Sequence, residues 1–331
     1  IQGMNKMNLN IVPSNFVKDT INALGFDIQN DKTGKKEGVL KNEKPLEVLF
    51  EGVDTNIYKK TNEFSKLLVD ELSQVEEQFS FLYVGHWLQG GLGQDRKDTG
   101  MLVKVFCETF KNMKTQPALI MKTSSAGFSV LDREEMLSRI NEIKSTINGK
   151  LPNIYLLHGD FTDDEINDLY NHPKVKAHVT LTHGEGFGRP LLEATLSEKP
   201  VIAPKWSGHV DFLDSSKSIT LDGQLTAVEK GSFPDNFYVE GAQWFTVNYQ
   251  KASQTLRTVY RSYKKYTSDA KKLAVQNKSK FSLDAMTIEF GKILDKYVPE
   301  FPKEVKLQLP KLKKVGESEA PKIKLPKLKK V

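Results

Sequence analysis

Thr182-His183-Gly184-Glu185-Gly186-Phe187-Gly188-Arg189-Pro190-Leu191-Leu192-Glu193-Ala194 carries the chain from a strand into a helix through a loop built around three glycines. Gly184, Gly186 and Gly188 let backbone N–H groups come close to a ligand, because no Cβ stands in the way. Pro190 suits the first turn of a helix, so the loop feeds into a helix N-terminus, where phosphates or sugar hydroxyls find donors. Glu185 falls in the loop and Glu193 about one turn into the helix. Carboxylates so placed can accept hydrogen bonds from two parts of one polyhydroxylated ligand. The spacing also fits a tight turn with a solvent-facing Glu185 and a Glu193 that answers the helix dipole.

Outward from this loop, apolar strands and amphipathic helices alternate. Phe81–Val84, Ala118–Met121, Ile154–Leu157, Ala177–Leu181 and Pro200–Ala203 read as strands. Gly100–Lys111, Glu134–Thr146, Asp163–Tyr170 (capped by Thr162) and Pro190–Leu196 read as the helices between them, and 250–297 as closing helices. Such alternation is the signature of a parallel sheet covered on both faces, a doubly wound α/β domain. Ahead of it, Leu9–Val12 reads as a strand, Val17–Leu24 as a helix capped by Ser14, 29–44 as a polar surface loop, and Pro45–Phe50 as a second strand.

Open α/β sheets bind ligands beyond the carboxyl ends of their strands. One loop there runs Gly85-His86-Trp87 to Gln94-Asp95-Arg96-Lys97, with glycines and cations suited to a diphosphate or simply to solvent. Lys122 ends the next strand, as a second cation or a plain exposed lysine. Gly159 and Phe161 follow the third. Asp163-Asp164-Glu165 just beyond reads as a helix first turn, where acids are favoured by the dipole, rather than as a metal site. The remaining histidines have no metal-ligand spacing, although His209 falls in a binding-edge loop.

The stretch from Glu185 to Glu193 resembles the Glu-x7-Glu signature of retaining GT-B glycosyltransferases of family four, the group 1 enzymes. Lys199-Pro200-Val201-Ile202-Ala203 with Trp206-Ser207-Gly208-His209 resembles the same family, as does Val12-Pro13-Ser14-Asn15-Phe16 followed by Glu51-Gly52-Val53-Asp54. The resemblance implies that Glu185 contacts the donor sugar and Glu193 the ribose hydroxyls. The loop amides of Phe187, Gly188 and Arg189 would face the transferred sugar or its phosphate. Arg96, Lys97 and Lys122 would neutralise the diphosphate without a metal ion; the family's arginine position after the first strand is occupied by His86. The nucleobase would pack near Gly159 and Phe161.

That family's first domain is larger than anything ahead of this sheet. The resulting expectation is 1–58 as the end of an acceptor-side domain, 59–250 as the donor-binding domain, 251–300 as C-terminal helices and 301–331 as a mobile tail. The chain would then be a fragment, or take its acceptor domain from elsewhere. A non-catalytic nucleotide-sugar-binding or scaffold module is the alternative of a different class.

Bulk composition restricts the rest. With 331 residues, 38% hydrophobic and 27% charged, the sequence describes a folded soluble protein. No apolar run approaches the roughly 20 residues that span a bilayer, and the N-terminus lacks the apolar core of a secretory signal. The single cysteine, Cys107, has no partner within the chain, sits among apolar residues as core, and fits a reducing, cytoplasmic setting. Charge is uneven: residues 303–331 hold ten lysines and three acids, a net +7, which leaves 38 basic and 39 acidic residues, a net −1, in the remainder. The segment Leu309-Pro-Lys-Leu-Lys-Lys-Val315 recurs as 325–331. Its prolines oppose helix formation, and its lysines suit a polyanion, which would make DNA or a membrane lipid the acceptor; apart from the tail, the acceptor stays open among glycan, lipid, protein and DNA.

Overall fold

The computed structural model describes residues 1–30, 32–88, 90–125, 127–233, 238–239 and 241–299. The expected tail at 301–331 lies outside them.

Six parallel strands form the centre: β5 (Ser80–Val84), β6 (Ala118–Lys122), β7 (Ile154–Leu157), β8 (Val175–Val179), β9 (Val201–Pro204) and β10 (Ile219–Leu221). Between them run α3 (Thr99–Phe110), α4 (Val130–Ser145), α5 (Asp163–Asn171) and α6 (Arg189–Thr195). The spatial order is β10-β9-β8-β5-β6-β7. The chain starts in the middle, works out through β6 and β7, then returns across β5 to build the other half. Where that order reverses, between β5 and β8, the outgoing loops diverge and a crevice opens.

Side-chain alternation along β5 shows why both faces are covered. Phe81 and Tyr83 join one core with Leu102, Phe106 and Phe110 of α3 and Met136 and Ile140 of α4. Leu82 points into the other core, with Leu169 and Tyr170 of α5 and Leu191 and Leu192 of α6. The Phe81 ring lies 5.9 Å from Phe106 and 6.0 Å from Phe110. Each such buried ring contributes roughly 1.5–3 kcal/mol through removal from water. Cys107 is fully buried in α3, and burial pushes its thiol up to about 11, so it packs and does not react.

Three helices close the unit: α7 (Tyr249–Ser262), α8 (Lys264–Lys280) and α9 (Leu283–Tyr297). Ahead of the sheet stand β1 (Asn10–Val12), α1 (Asn15–Ala23), β4 (Leu46–Val48), which pairs parallel with β1, and α2 (Lys66–Ser73). The Ser14 hydroxyl caps α1 by accepting from the Val17 N–H. Thr162 and Glu165 form a capping box on α5, and Asp163 beside them accepts from the Tyr58 hydroxyl.

Residues 29–44 are not a plain loop. β2 (Phe26–Gln29) and β3 (Lys36–Leu40) make an antiparallel hairpin, turned where the Asn30 side chain accepts from the Lys32 and Thr33 N–H groups. Both strands are largely solvated, and the strict alternation in Phe26-Asp27-Ile28-Gln29 runs for only four residues. A second hairpin, β11 (Gly223–Ala227) with β12 (Gln243–Val247), follows the last sheet strand. Among the described residues no helix is long and apolar enough to cross a membrane.

Candidate functional site

The crevice at the strand-order reversal is built from both of its loops. After β5 the chain returns to the sheet edge at Asp95, whose buried carboxylate accepts from the Thr99 and Gly100 N–H groups and pins the start of α3. This fixes Arg96 and Lys97 immediately before the helix. The Arg96 carbonyl accepts from the His183 N–H at 2.9 Å, which ties this loop to the one after β8.

Three charges then meet. Lys97 Nζ lies 2.5 Å from Glu185 Oε1, and Arg96 lies 3.3 Å from Glu185 Oε2 while also donating to the Gly184 carbonyl at 2.9 Å. Burial opposes ionisation of Glu185, but the Lys97 ammonium and then the Arg96 guanidinium outweigh it and hold the carboxyl below its ordinary range. The solvent-facing alternative for Glu185 is excluded, since its side chain is only 10% exposed.

A third segment cradles this loop from beneath. The Glu185 N–H donates to Ser207 Oγ at 2.9 Å, and its carbonyl accepts from the Gly208 N–H at 2.9 Å. Ser207 adopts φ +78°, a conformation rare outside glycine, to make that contact. Ser14 reaches in from the other side and donates to the Gly186 carbonyl at 2.6 Å, and Asp211 accepts from the Asn15 N–H at the start of α1. The result is an open crevice of about 620 Å³. It is lined by the Gly184–Pro190 loop and Arg96, with Phe16, Glu51, Trp206, Tyr238, Gln243 and Trp244 opposite.

The other expected residues fall elsewhere on the same sheet edge. Lys122 donates to the Gly159 carbonyl at 2.8 Å and lies 4.8 Å over the Phe161 ring. The Gly85 N–H donates to the Lys122 carbonyl, and His86 Nδ1 lies 3.3 Å from Ser124 Oγ. Gly85, His86, Lys122, Gly159 and Phe161 thus gather at the ends of β5, β6 and β7, apart from the Glu185 cluster. Phe161 instead lines a smaller crevice of about 270 Å³ with His158 and Asp160. Glu193 is buried and does not line the main crevice. It faces Arg189 at 3.3 Å and the Tyr170 hydroxyl at 3.4 Å, and burial pushes its carboxyl up to about 7. His209 is a buried prop, its Nε2 2.7 Å from the Pro204 carbonyl. Among the described residues no group of three or more His, Cys, Asp or Glu is placed to hold a metal ion.

Sequence reasoning did not assemble the wall that faces the glycine loop: Trp206 and Trp244 read only as core or pocket wall, and Gln243 and Tyr238 were not singled out. Phe16 was noted only within a stretch resembling a family, and Gln243, Trp244 and Tyr238 belong to a hairpin and its connection that carry no phosphate-loop or carboxylate signature. The one available signal was the aromatic density around 237–245.

No protein-family model and no curated protein matches the chain. Solved structures do. HepE of Anabaena, crystallised with UDP and glucose, is 16% identical with a TM-score of 0.59, over 89% of this chain and 65% of its own. A glycosyltransferase from Rickettsia africae is 16% identical with a TM-score of 0.58, over 91% and 67%. Sucrose-phosphate synthase of Thermosynechococcus elongatus is 12% identical with a TM-score of 0.59, over 88% and 59%. The chain therefore has the GT-B type α/β fold, with a Rossmann-like sheet, and spans between 59% and 67% of the length of these structures.

Proposed function

We propose that the chain binds a nucleotide sugar in the crevice between the β5 and β8 loops and acts as a retaining, metal-independent glycosyltransferase of the family-four type. The observation that carries this reading is the meeting of Glu185 with Arg96 and Lys97 at the point where strand order reverses. Departure of a nucleoside diphosphate leaves negative charge on its phosphates. Two cations already fixed there would stabilise that charge without reorganising, which is where preorganised electrostatics acts most strongly. Both are held by one carboxylate; a bound donor would offer them phosphate oxygens and free Glu185 for the hydroxyls of the sugar. The backbone of Phe187, Gly188 and Arg189 would face the sugar or its phosphate. Lys122, with Gly85, His86, Gly159 and Phe161, extends the same edge toward the nucleoside, and Glu193 would reach the ribose only by exchanging its contacts with Arg189 and the Tyr170 hydroxyl. That HepE was crystallised with UDP and with UDP-glucose supports this choice of ligand.

Thermal denaturation with UDP, GDP and ADP, each with and without a sugar, tests the reading. One nucleotide series should raise the melting temperature, because a ligand bound only by the folded state stabilises it by RT ln(1 + [L]/Kd). That nucleotide sugar should also be turned over in EDTA. If every nucleotide leaves the melting temperature unmoved at millimolar concentration, the donor assignment is wrong.

A further inference from the structure

The wall opposite the glycine loop is aromatic and rigidly tied to it. The Phe245 N–H donates to the His183 carbonyl at 3.1 Å, and His183 Nδ1 lies 2.8 Å from the Phe245 carbonyl, so β12 is stitched to the loop two residues before Glu185. The Trp244 ring stacks on His183 with centroids 4.0 Å apart and planes 9° apart. Trp206 stacks on Phe245 at 12°, and Phe16 meets Trp206 edge-on at 4.6 Å. Trp206 also lies against Gly184, where an added Cβ would stand 2.9 Å from the ring. Three separate segments thus hold aromatic surfaces in fixed orientation. Phe16 and Trp206 are only half-buried, and both line the crevice with Trp244.

Polar groups stand among these rings: Glu51 and Gln243 line the same opening. This combination matches one ligand chemistry. A pyranose presents a flat face of C–H bonds, which packs on an aromatic ring, and a rim of hydroxyls, which donate to carboxylates and bond to amides. A nucleobase would also stack, but in the donor reading the nucleoside runs the other way along the sheet edge, toward Gly159 and Phe161. A lipid chain would leave Glu51 and Gln243 desolvated without partners.

We propose that Phe16, Trp206 and Trp244, with Glu51 and Gln243, form a saccharide subsite beside the donor loop, so that the acceptor is a carbohydrate. This rests on the donor reading of the same crevice, and the experiment separates the two. Methyl glycosides of glucose, galactose and mannose, and the corresponding disaccharides, are titrated into the full chain with and without saturating UDP. Binding is followed by saturation-transfer NMR and tryptophan emission, and UDP affinity is measured separately by calorimetry. At least one glycoside should receive saturation on its ring C–H protons. Trp244→Ala and, independently, the more exposed Phe16→Ala should weaken it tenfold or more, and Phe16→Ala should do so while changing nucleotide affinity less than twofold. Trp244→Phe should recover part of the loss. Nucleotide binding without binding of any glycoside would discard the subsite and keep the donor reading; glycoside binding without binding of UDP, GDP or ADP would do the reverse. Loss of UDP-glucose affinity in both alanine variants, with glycoside binding intact, would reassign the wall to the donor's own sugar and overturn the proposal.

Discussion

Gly208 meets Gly186 backbone to backbone: a Cβ on Gly208 would stand 2.0 Å from the Gly186 carbonyl oxygen. Such an approach is open only to glycine, and neither chain can retreat without breaking the Gly208–Glu185 hydrogen bond. Gly208→Ala should therefore push the donor loop outward. Chemical denaturation should show a loss of about 1–3 kcal/mol, the usual cost of overpacking. Calorimetry should show nucleotide affinity reduced tenfold or more. Unchanged affinity would mean that the loop is not where the nucleotide sits.

Lys97 and Glu185 test whether the charge cluster is coupled. Lys97→Met leaves a buried carboxylate with Arg96 alone and should cost about 2–4 kcal/mol, as broken buried pairs do. Glu185→Gln in the same chain should restore most of that stability, because the uncompensated charge is gone. A double-mutant cycle with coupling near zero would show that the pair contributes nothing.

Glu185 should also discriminate between ligands. Glu185→Gln keeps the shape and removes the charge, so free UDP should bind as before, or more weakly by less than threefold. An intact UDP-sugar should lose tenfold or more, about 1.4 kcal/mol or greater, typical of a hydrogen bond to a charged group. Equal weakening of both ligands in calorimetry would remove Glu185 from the sugar.

Glu193 predicts a pH dependence of stability. Burial, opposed by Arg189, raises its carboxyl from 4.5 to about 7 in the folded protein. The folded state then holds a proton that the unfolded chain releases. The stabilising contribution is complete below about 4.5 and is lost as pH rises through about 7. Glu193→Gln should remove this component, so the stability difference between variant and parent should shift in the variant's favour by roughly 2–3 kcal/mol between pH 4.5 and 8. Parallel stability curves would show that Glu193 does not titrate in this range.

The lysine-rich segment is expected to recruit, not to bind donor. Deleting 303–331 removes ten lysines and three acids and leaves a net −1. The truncated chain should keep its nucleotide affinity and lose salt-dependent binding to duplex DNA and to anionic vesicles. Equally tight low-salt binding after truncation would place the anchor elsewhere.

The alternation of apolar strands and amphipathic helices, the caps at Ser14 and Thr162, and the loop through Gly184, Gly186 and Gly188 were all determined by the sequence alone. Each is a local effect: a period of two or 3.6, a hydroxyl three residues from an N–H, a backbone without a Cβ. The exposed hairpin at 26–40 was hidden because its strands are short and solvated, and the alternation Phe26-Asp27-Ile28-Gln29 ends in a run of polar, lysine-rich residues. Only the tertiary structure decided that Glu185 would meet Arg96 and Lys97, which lie 89 and 88 residues away in sequence. Their meeting depends on β8 inserting beside β5 and not beyond β7, a choice made by packing two helical layers against one sheet. The same holds for the aromatic wall. Trp244, Trp206 and Phe16 come from three distant segments, and nothing in their local sequence records that one side of a crevice would need all of them.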